Sequence, residues 1–191
     1  MLEPPYDVIL AAPPWRFASN SEPRPRRNPM RHYPCIKPER IPDLAFCGCG
    51  TATVEIACPD CGGMTVPGPE LAGREALLLL WTTNPMLVHA LRTIEAWGFV
   101  YKTNMAWAKP RIGTGYWVRG SHELLLIARR GRFPSPPGPL RPSSVIRAPQ
   151  AEHSRKPGQV HEWVERVWPE ARKLELFARA VRPGWTALGN H

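Results

Sequence analysis

Four cysteines crowd into the stretch FCGCGTATVEIACPDCGG: Cys47, Cys49, Cys58 and Cys61. They form two close pairs, each followed by glycine and separated by eight residues, so short turns can aim four thiolates at one tetrahedral metal ion, zinc first among them. The first pair is C-x-C where C-x2-C is the commoner spacing, Cys35 is left over, and His32 is a further, weaker ligand candidate. The other reading of the cluster is unligated thiols in a flexible loop. A second stretch, VILAAPPWRF at residues 8–17, sets an apolar run against a Pro-Pro-Trp turn and an arginine. This is the build of a catalytic strand-end turn, yet Ala12 leaves its tip without a polar side chain.

Both groups need a frame to hold them. Short apolar runs alternate with amphipathic ones, the pattern of an α/β domain. YDVILA (6–11), ALLLLW (76–81), FVYKTNMAWA (99–108) and HELLLIA (122–128) read as strands, as do RKLELFA (172–178) and GWTALG (184–189). SSVIRA reads as an edge strand, and the Pro-rich FPSPPGPLRP (133–142) must be a loop. Residues 85–99 read as a helix with proline in its first turn, Gly98 at its end and an apolar stripe of Leu87, Ala90, Leu91, Ile94 and Trp97. A second helix opens at Pro157 and runs to 168. About seven strands and few helices predict an open, mostly parallel Rossmann-like sheet. Ligands of such sheets gather beyond the carboxyl ends of the strands, where the Pro-Pro-Trp turn, WTTN, WAKP and FAR all fall.

A chain of 191 residues holds one domain with a real core. Its 25 Lys+Arg against 16 Asp+Glu give +9 at pH 7, which favours a polyanionic partner, most simply nucleic acid. The basic residues are unevenly spread, and nine of them form three groups: Arg24, Arg26, Arg27 and Arg31; Lys109 and Arg111; Arg129, Arg130 and Arg132. Each lies just past an apolar run, and the expectation is phosphate contacts around a cleft. No apolar run of membrane-spanning length and no leader pattern stands in the sequence, so neither a membrane span nor a signal peptide is expected. The cysteine usage fits a reducing compartment, the cytoplasm.

The segments YDVILAAPPW, YP at 33–34, LLLLWTTN, AWGFVYKTNMAWAKP, GTGYWVRGSHELLL, EHSRKP, RKLELFAR and RPGWTALGN resemble, in order from residue 6 to 190, the adenine methyltransferases with an Asp-Pro-Pro-Trp signature. This is the family of the 70-kDa mRNA adenosine methyltransferase subunit and its bacterial and phage relatives. The resemblance implies a single methyltransferase domain over 1–191, a Rossmann-like fold with permuted motif order, and S-adenosylmethionine as methyl donor. It implies transfer to the 6-amino group of adenine in DNA or RNA, with DNA favoured. The Cys-rich stretch, 45–66, then stands as a small zinc knuckle-like insertion.

The resemblance implies a catalytic turn of Ala12, Pro13, Pro14 and Trp15, with Ala12 in the place of the signature aspartate. It implies donor binding by Lys156, Glu175, Phe177, Arg179, Asn190 and His191, the histidine being a departure from the family's Glu or Gln. Tyr33, Asn84, Tyr116, Trp117, Glu123, Arg27 and Lys109 become the substrate-side candidates. Loss of a group that stabilises the transition state costs about 10²–10³-fold in rate, so a chain with Ala12 is expected to be inactive or nearly so. The intact surroundings fit an engineered Asp-to-Ala exchange better than decay; a natural non-catalytic paralogue is the alternative. A zinc-containing nucleic-acid-binding module is a further reading, and a homodimer or a partner subunit is open to all three.

Overall fold

The computed structural model describes residues 2–17, 34–113, 115, 117–150 and 155–189. Along the chain run β1 (Tyr6–Ala11), β2 (Ala45–Phe46), β3 (Ala52–Thr53), β4 (Val66–Pro67), β5 (Ala72–Thr82) and α1 (Leu87–Ala96). Then follow β6 (Val100–Ala108), β7 (His122–Arg130), β8 (Val145–Arg147), α2 (Gln159–Val167), β9 (Lys173–Leu176) and β10 (Trp185–Leu188). Seven strands form one sheet in the order β10-β9-β1-β5-β7-β6-β8; the three short ones, β3-β2-β4, form a second sheet inside the Cys-rich stretch. In the large sheet β7 alone opposes its neighbours, pairing antiparallel with β5 and β6, while β1, β5, β9 and β10 are parallel.

The strand sequences explain this layering. Strands buried on both faces carry unbroken apolar runs, and β1 and β5 meet in register as Val8–Leu77, Ile9–Leu78, Leu10–Leu79 and Ala11–Leu80. Alternate residues point to opposite faces. On one face Ile9, Ala11, Leu78, Leu80 and Leu176 pack against Ala90, Ile94 and Trp97 from α1 and its end, and against Phe46. On the other, Val8, Leu10, Leu79, Trp81 and Trp107 pack against Val160, Trp163 and Val164 of α2.

Gly98 ends α1 as expected: at φ +74° its N–H bonds the Glu95 carbonyl while the Phe99 N–H returns to Ile94, both at 2.9 Å. The apolar stripe shifts slightly. Leu91 is 37% exposed, and Thr93 takes a buried place with its hydroxyl on the His89 carbonyl.

One basic group is not where the sequence suggested. Because β7 runs backwards, Arg129 and Arg130 pair with Leu77 and Ala76 at the start of β5, the sheet edge opposite Ala12. The Arg130 guanidinium bonds the carbonyls of Pro69, Ala72, Gly98 and Trp97 and stacks over the Phe99 ring. It is a tie between loops. A charged residue at a strand end reads as cleft-lining only if the strand direction is known.

Candidate active site

Strand order reverses at β1: the chain moves from β1 to β5 on one side, while β9 and β10 lie on the other. That crevice, beyond the carboxyl ends of β1 and β9, is the usual ligand site of an open α/β sheet. The Pro-Pro-Trp turn leaves β1 there. The Ala12 N–H bonds the Leu176 carbonyl at the end of β9 at 3.3 Å, which ties the two strand ends together. The Pro13 carbonyl accepts the Trp15 N–H and the Pro14 carbonyl accepts the Ile36 N–H, both at 2.9 Å. Trp15 is only 6% exposed, and its indole N–H donates to the Trp81 carbonyl at 3.1 Å. The turn is therefore anchored by its tryptophan, whose ring is committed to the core.

Across the crevice stands a charged cluster on aromatic walls. Glu123, at the start of β7, accepts from Lys156 at 2.6 Å through one oxygen and from Lys109 through the other. The Lys109 ammonium lies 4.8 Å from the ring centre of Trp107, and that of Lys156 lies 5.8 Å from the ring centre of Trp81. Glu123 pairs in register with Trp107, so the carboxylate and the indole share one sheet face, the face of α2.

Burial works to raise the Glu123 carboxyl, and the two ammonium groups more than offset it, holding it below the ordinary range. Burial lowers Lys156, Glu123 opposes that, and the charges of Lys109 and Arg179 add to the lowering. Two cations and one anion leave net positive charge at the mouth of the crevice. Beside them two buried polar atoms, Trp81 Nε1 and Thr83 Oγ1, have no hydrogen-bond partner among the described residues. An ammonium next to such unsatisfied groups suits a ligand carrying a carboxylate and further polar atoms.

The four sulfurs of Cys47, Cys49, Cys58 and Cys61 lie within 4.8 Å of one another, with Cys47–Cys61 and Cys49–Cys58 at 3.5 Å. Tetrahedral zinc with Zn–S bonds of about 2.3 Å sets its sulfurs about 3.8 Å apart, so the set can hold a metal ion with side-chain shifts of about 1 Å or less. Each pair rides a tight turn: the Gly50 N–H bonds Cys47 and the Gly62 N–H bonds Cys58, both at 2.9 Å, with Gly50 at φ +102° and Gly62 at φ +71°. Those φ values suit glycine, which accounts for the glycine after each pair. The Thr51 hydroxyl and amide hold Cys49 down at about 6. At Cys61 the Gly63 amide works downward, and the neighbouring thiols of Cys47, Cys49 and Cys58 override it, pushing Cys61 up to about 12.

Residues 60–191 match the family model described as MT-A70. The chain belongs to the MT-A70 family. The matched stretch holds the Lys109–Glu123–Lys156 cluster and strands β9 and β10, and it begins after the Pro-Pro-Trp turn. Among individual proteins, the type II methyltransferase M.MunI of a Mycoplasma species is 30% identical over 122 residues, 63% of this chain and 52% of that protein. An N(6)-adenosine-methyltransferase MT-A70-like protein of Arabidopsis thaliana is 35% identical over 139 residues, 66% of this chain and 19% of its own length. The human N(6)-adenosine-methyltransferase catalytic subunit METTL3 is 30% identical over 126 residues, 61% and 22%. The chain thus spans about half of one curated relative and about a fifth of the other two.

Within this MT-A70 frame the expected residues divide. Ala12, Pro13 and Pro14 stand at the switch point, and Lys109, Glu123 and Lys156 meet beside it. Asn84 is exposed at the start of a single 3-10 turn after β5, and Trp117 is 99% exposed on the β6–β7 connection. Glu175 turns to the α2 face, where its carboxylate meets His161 Nε2 at 2.9 Å. Phe177, just past β9, adopts φ +62°, and its ring packs edge-on against Phe46 at 5.6 Å. Arg27, Tyr33, Tyr116, Asn190 and His191 lie outside the described residues.

Sequence reasoning did not single out Trp81, Trp107 or His161. The two tryptophans carry a signal nonetheless: each sits near the carboxyl end of its strand, and the two rings face each other edge-on at 6.1 Å.

Proposed function

We propose that this chain is built to carry a methyl group from S-adenosylmethionine to the 6-amino group of adenine in nucleic acid, DNA ahead of RNA, and that alanine at position 12 leaves it inactive or nearly so. The observation that carries the reading is the Pro-Pro-Trp turn held at the β1–β9 switch point by the Ala12–Leu176 hydrogen bond, within an MT-A70 chain. The donor would supply an electrophilic methyl on a sulfonium. Lys156 offers its carboxylate an ammonium, and the segment past β9, with Phe177 and Arg179, lies where its nucleoside end would sit. The Pro-Pro-Trp turn after β1 and the strands β9 and β10 near the other end of the chain fit a permuted order, with catalytic turn first and donor strands last.

An aromatic amine shares its lone pair with the ring and is a poor nucleophile until acceptors draw on its N–H groups. As nitrogen bonds the methyl and the carbon–sulfur bond breaks, one N–H proton must also leave. Pro13 keeps a lone pair for one N–H, since among the described residues its carbonyl accepts a single bond, from Trp15. The second acceptor belongs to position 12, and a methyl group cannot provide it. Basic residues such as Lys109 and Arg111, with exposed Trp117, supply phosphate and base contacts on the acceptor side.

Zinc is the metal the four thiolates fit best, and it would act structurally, in the reducing cytoplasm. The second reading, a substrate-binding subunit for an active partner or a homodimer, rests on Ala12 itself.

Reverting the site with Ala12→Asp and assaying 6-methyladenine in DNA and in RNA tests the reading. Methylation by the revertant alone, at least about 10²-fold above the parent, is the expected result. A revertant that binds donor and nucleic acid yet transfers no methyl overturns it in favour of the binding subunit.

A further inference from the structure

The first cysteine turn reaches further than its own metal site. Phe46 precedes Cys47 and is 1% exposed, and its ring meets Trp97 at 6.2 Å and Phe177 at 5.6 Å, both edge-on. Gly50, which follows Cys49, packs against the other strand end: a Cβ there would stand 3.1 Å from the Gly189 carbonyl. Phe177 and Gly189 flank the same place. The Ala178 N–H bonds the Leu188 carbonyl at 2.9 Å, and a Cβ on Gly189 would lie 2.4 Å from the Ala178 oxygen. The segments leaving β9 and β10 are thus pressed together and walled by the Cys47–Gly50 turn.

That wall also holds a strained residue. A left-handed phenylalanine, Phe177 at φ +62°, is disfavoured and persists only when its surroundings hold it there. Here Phe46 packs against the ring. The turn carrying Phe46 and Gly50 is in turn held within its lobe by two-residue strands, turn hydrogen bonds, the Thr51–Asp60 and Thr65 hydroxyl bonds, and four adjacent sulfurs. In small thiolate lobes of this kind, metal binding supplies folding free energy.

We propose that the metal-bound Cys47–Cys61 lobe is a positioning element of the methyl-donor site, acting through Phe46 on Phe177 and through Gly50 on Gly189, so that metal occupancy sets donor affinity. This rests on the donor and zinc assignments above. By linkage the effect is reciprocal: bound donor must hold the metal more tightly by the same factor that metal tightens the donor.

Calorimetric titration of S-adenosylmethionine into the full chain, zinc-loaded and then chelator-stripped, measures the coupling. The expected result is donor affinity at least about fivefold weaker in the stripped protein, the low end of ordinary coupling between sites, with zinc affinity, read by equilibrium competition with a chelator, raised by the same factor under saturating donor. Because stripping can unfold more than the lobe, Phe46→Leu in the loaded protein is the second arm. It keeps every cysteine, and is expected to retain one zinc per chain while weakening donor binding. Equal donor affinity with and without zinc, or an unweakened Phe46→Leu, overturns the coupling and leaves the methyl-transfer reading standing. A zinc-loaded chain that takes up no donor overturns both, and a chain that binds no zinc overturns the coupling and the metal assignment together.

Discussion

Glu123 holds Lys156 at 2.6 Å and Lys109 on its other oxygen, so one carboxylate at the start of β7 bridges two ammonium groups, one from just past β6 and one from the segment before α2. The side chains are only 12–19% exposed, and removing the shared partner leaves two like charges facing each other in low dielectric. Glu123→Gln is expected to cost about 3 kcal/mol, the lower end of the loss from breaking a buried pair. Urea denaturation at neutral pH measures it. A loss below about 0.5 kcal/mol, the ordinary scale for an exposed pair, would show that water screens the cluster.

Arg130 makes the opposite case, a cation whose work is structural. Its guanidinium serves four carbonyls at the sheet edge remote from Ala12, with burial lowering its pKa. Arg130→Met keeps much of the stem packing on Phe99 and removes the donors, so about 2 kcal/mol of stability should be lost. Affinity for nucleic acid, measured by fluorescence anisotropy, should stay as in the parent. A clear drop at unchanged stability would return Arg130 to the binding surface.

The contrast between these two residues marks what the sequence carries. Strands such as YDVILA and ALLLLW are legible because a strand buried on both faces must be apolar throughout, whatever its neighbours. Gly98 is legible because a helix end needs a residue tolerant of positive φ. Lys156 and Glu123 stand 33 residues apart, and each was read as a site residue alone. Their pairing depends on β7 running antiparallel between β5 and β6, a tertiary fact with no local signature. The same reversal carried Arg129 and Arg130 away from the cleft. The four cysteines could be read as a set because their ligand geometry is local, built on two glycine turns. Their contact with the segment leaving β10 could not, since Gly50 and Gly189 are distant in sequence and neither has a side chain to suggest a partner.

Glu165 provides a pH test away from the crevice. Hydrogen bonds from Arg182 at 2.6 and 2.9 Å lower its carboxyl most, burial opposes them, and the Trp185 indole at 2.8 Å lowers it further, from an ordinary 4.5 to about 2. A carboxyl depressed in the folded state binds its proton more readily when unfolded. Its contribution is therefore fully present above pH 4.5 and is lost as pH falls from there towards 2. The pair is about one-third exposed, so the effect is screened and should be modest. Thermal melts of the parent and of Glu165→Gln should differ most above pH 5, with the parent higher, and converge as the pH is lowered through that window. A gap that is constant from pH 6 to 3 would mean that the glutamine amide loses packing or hydrogen bonds, not charge.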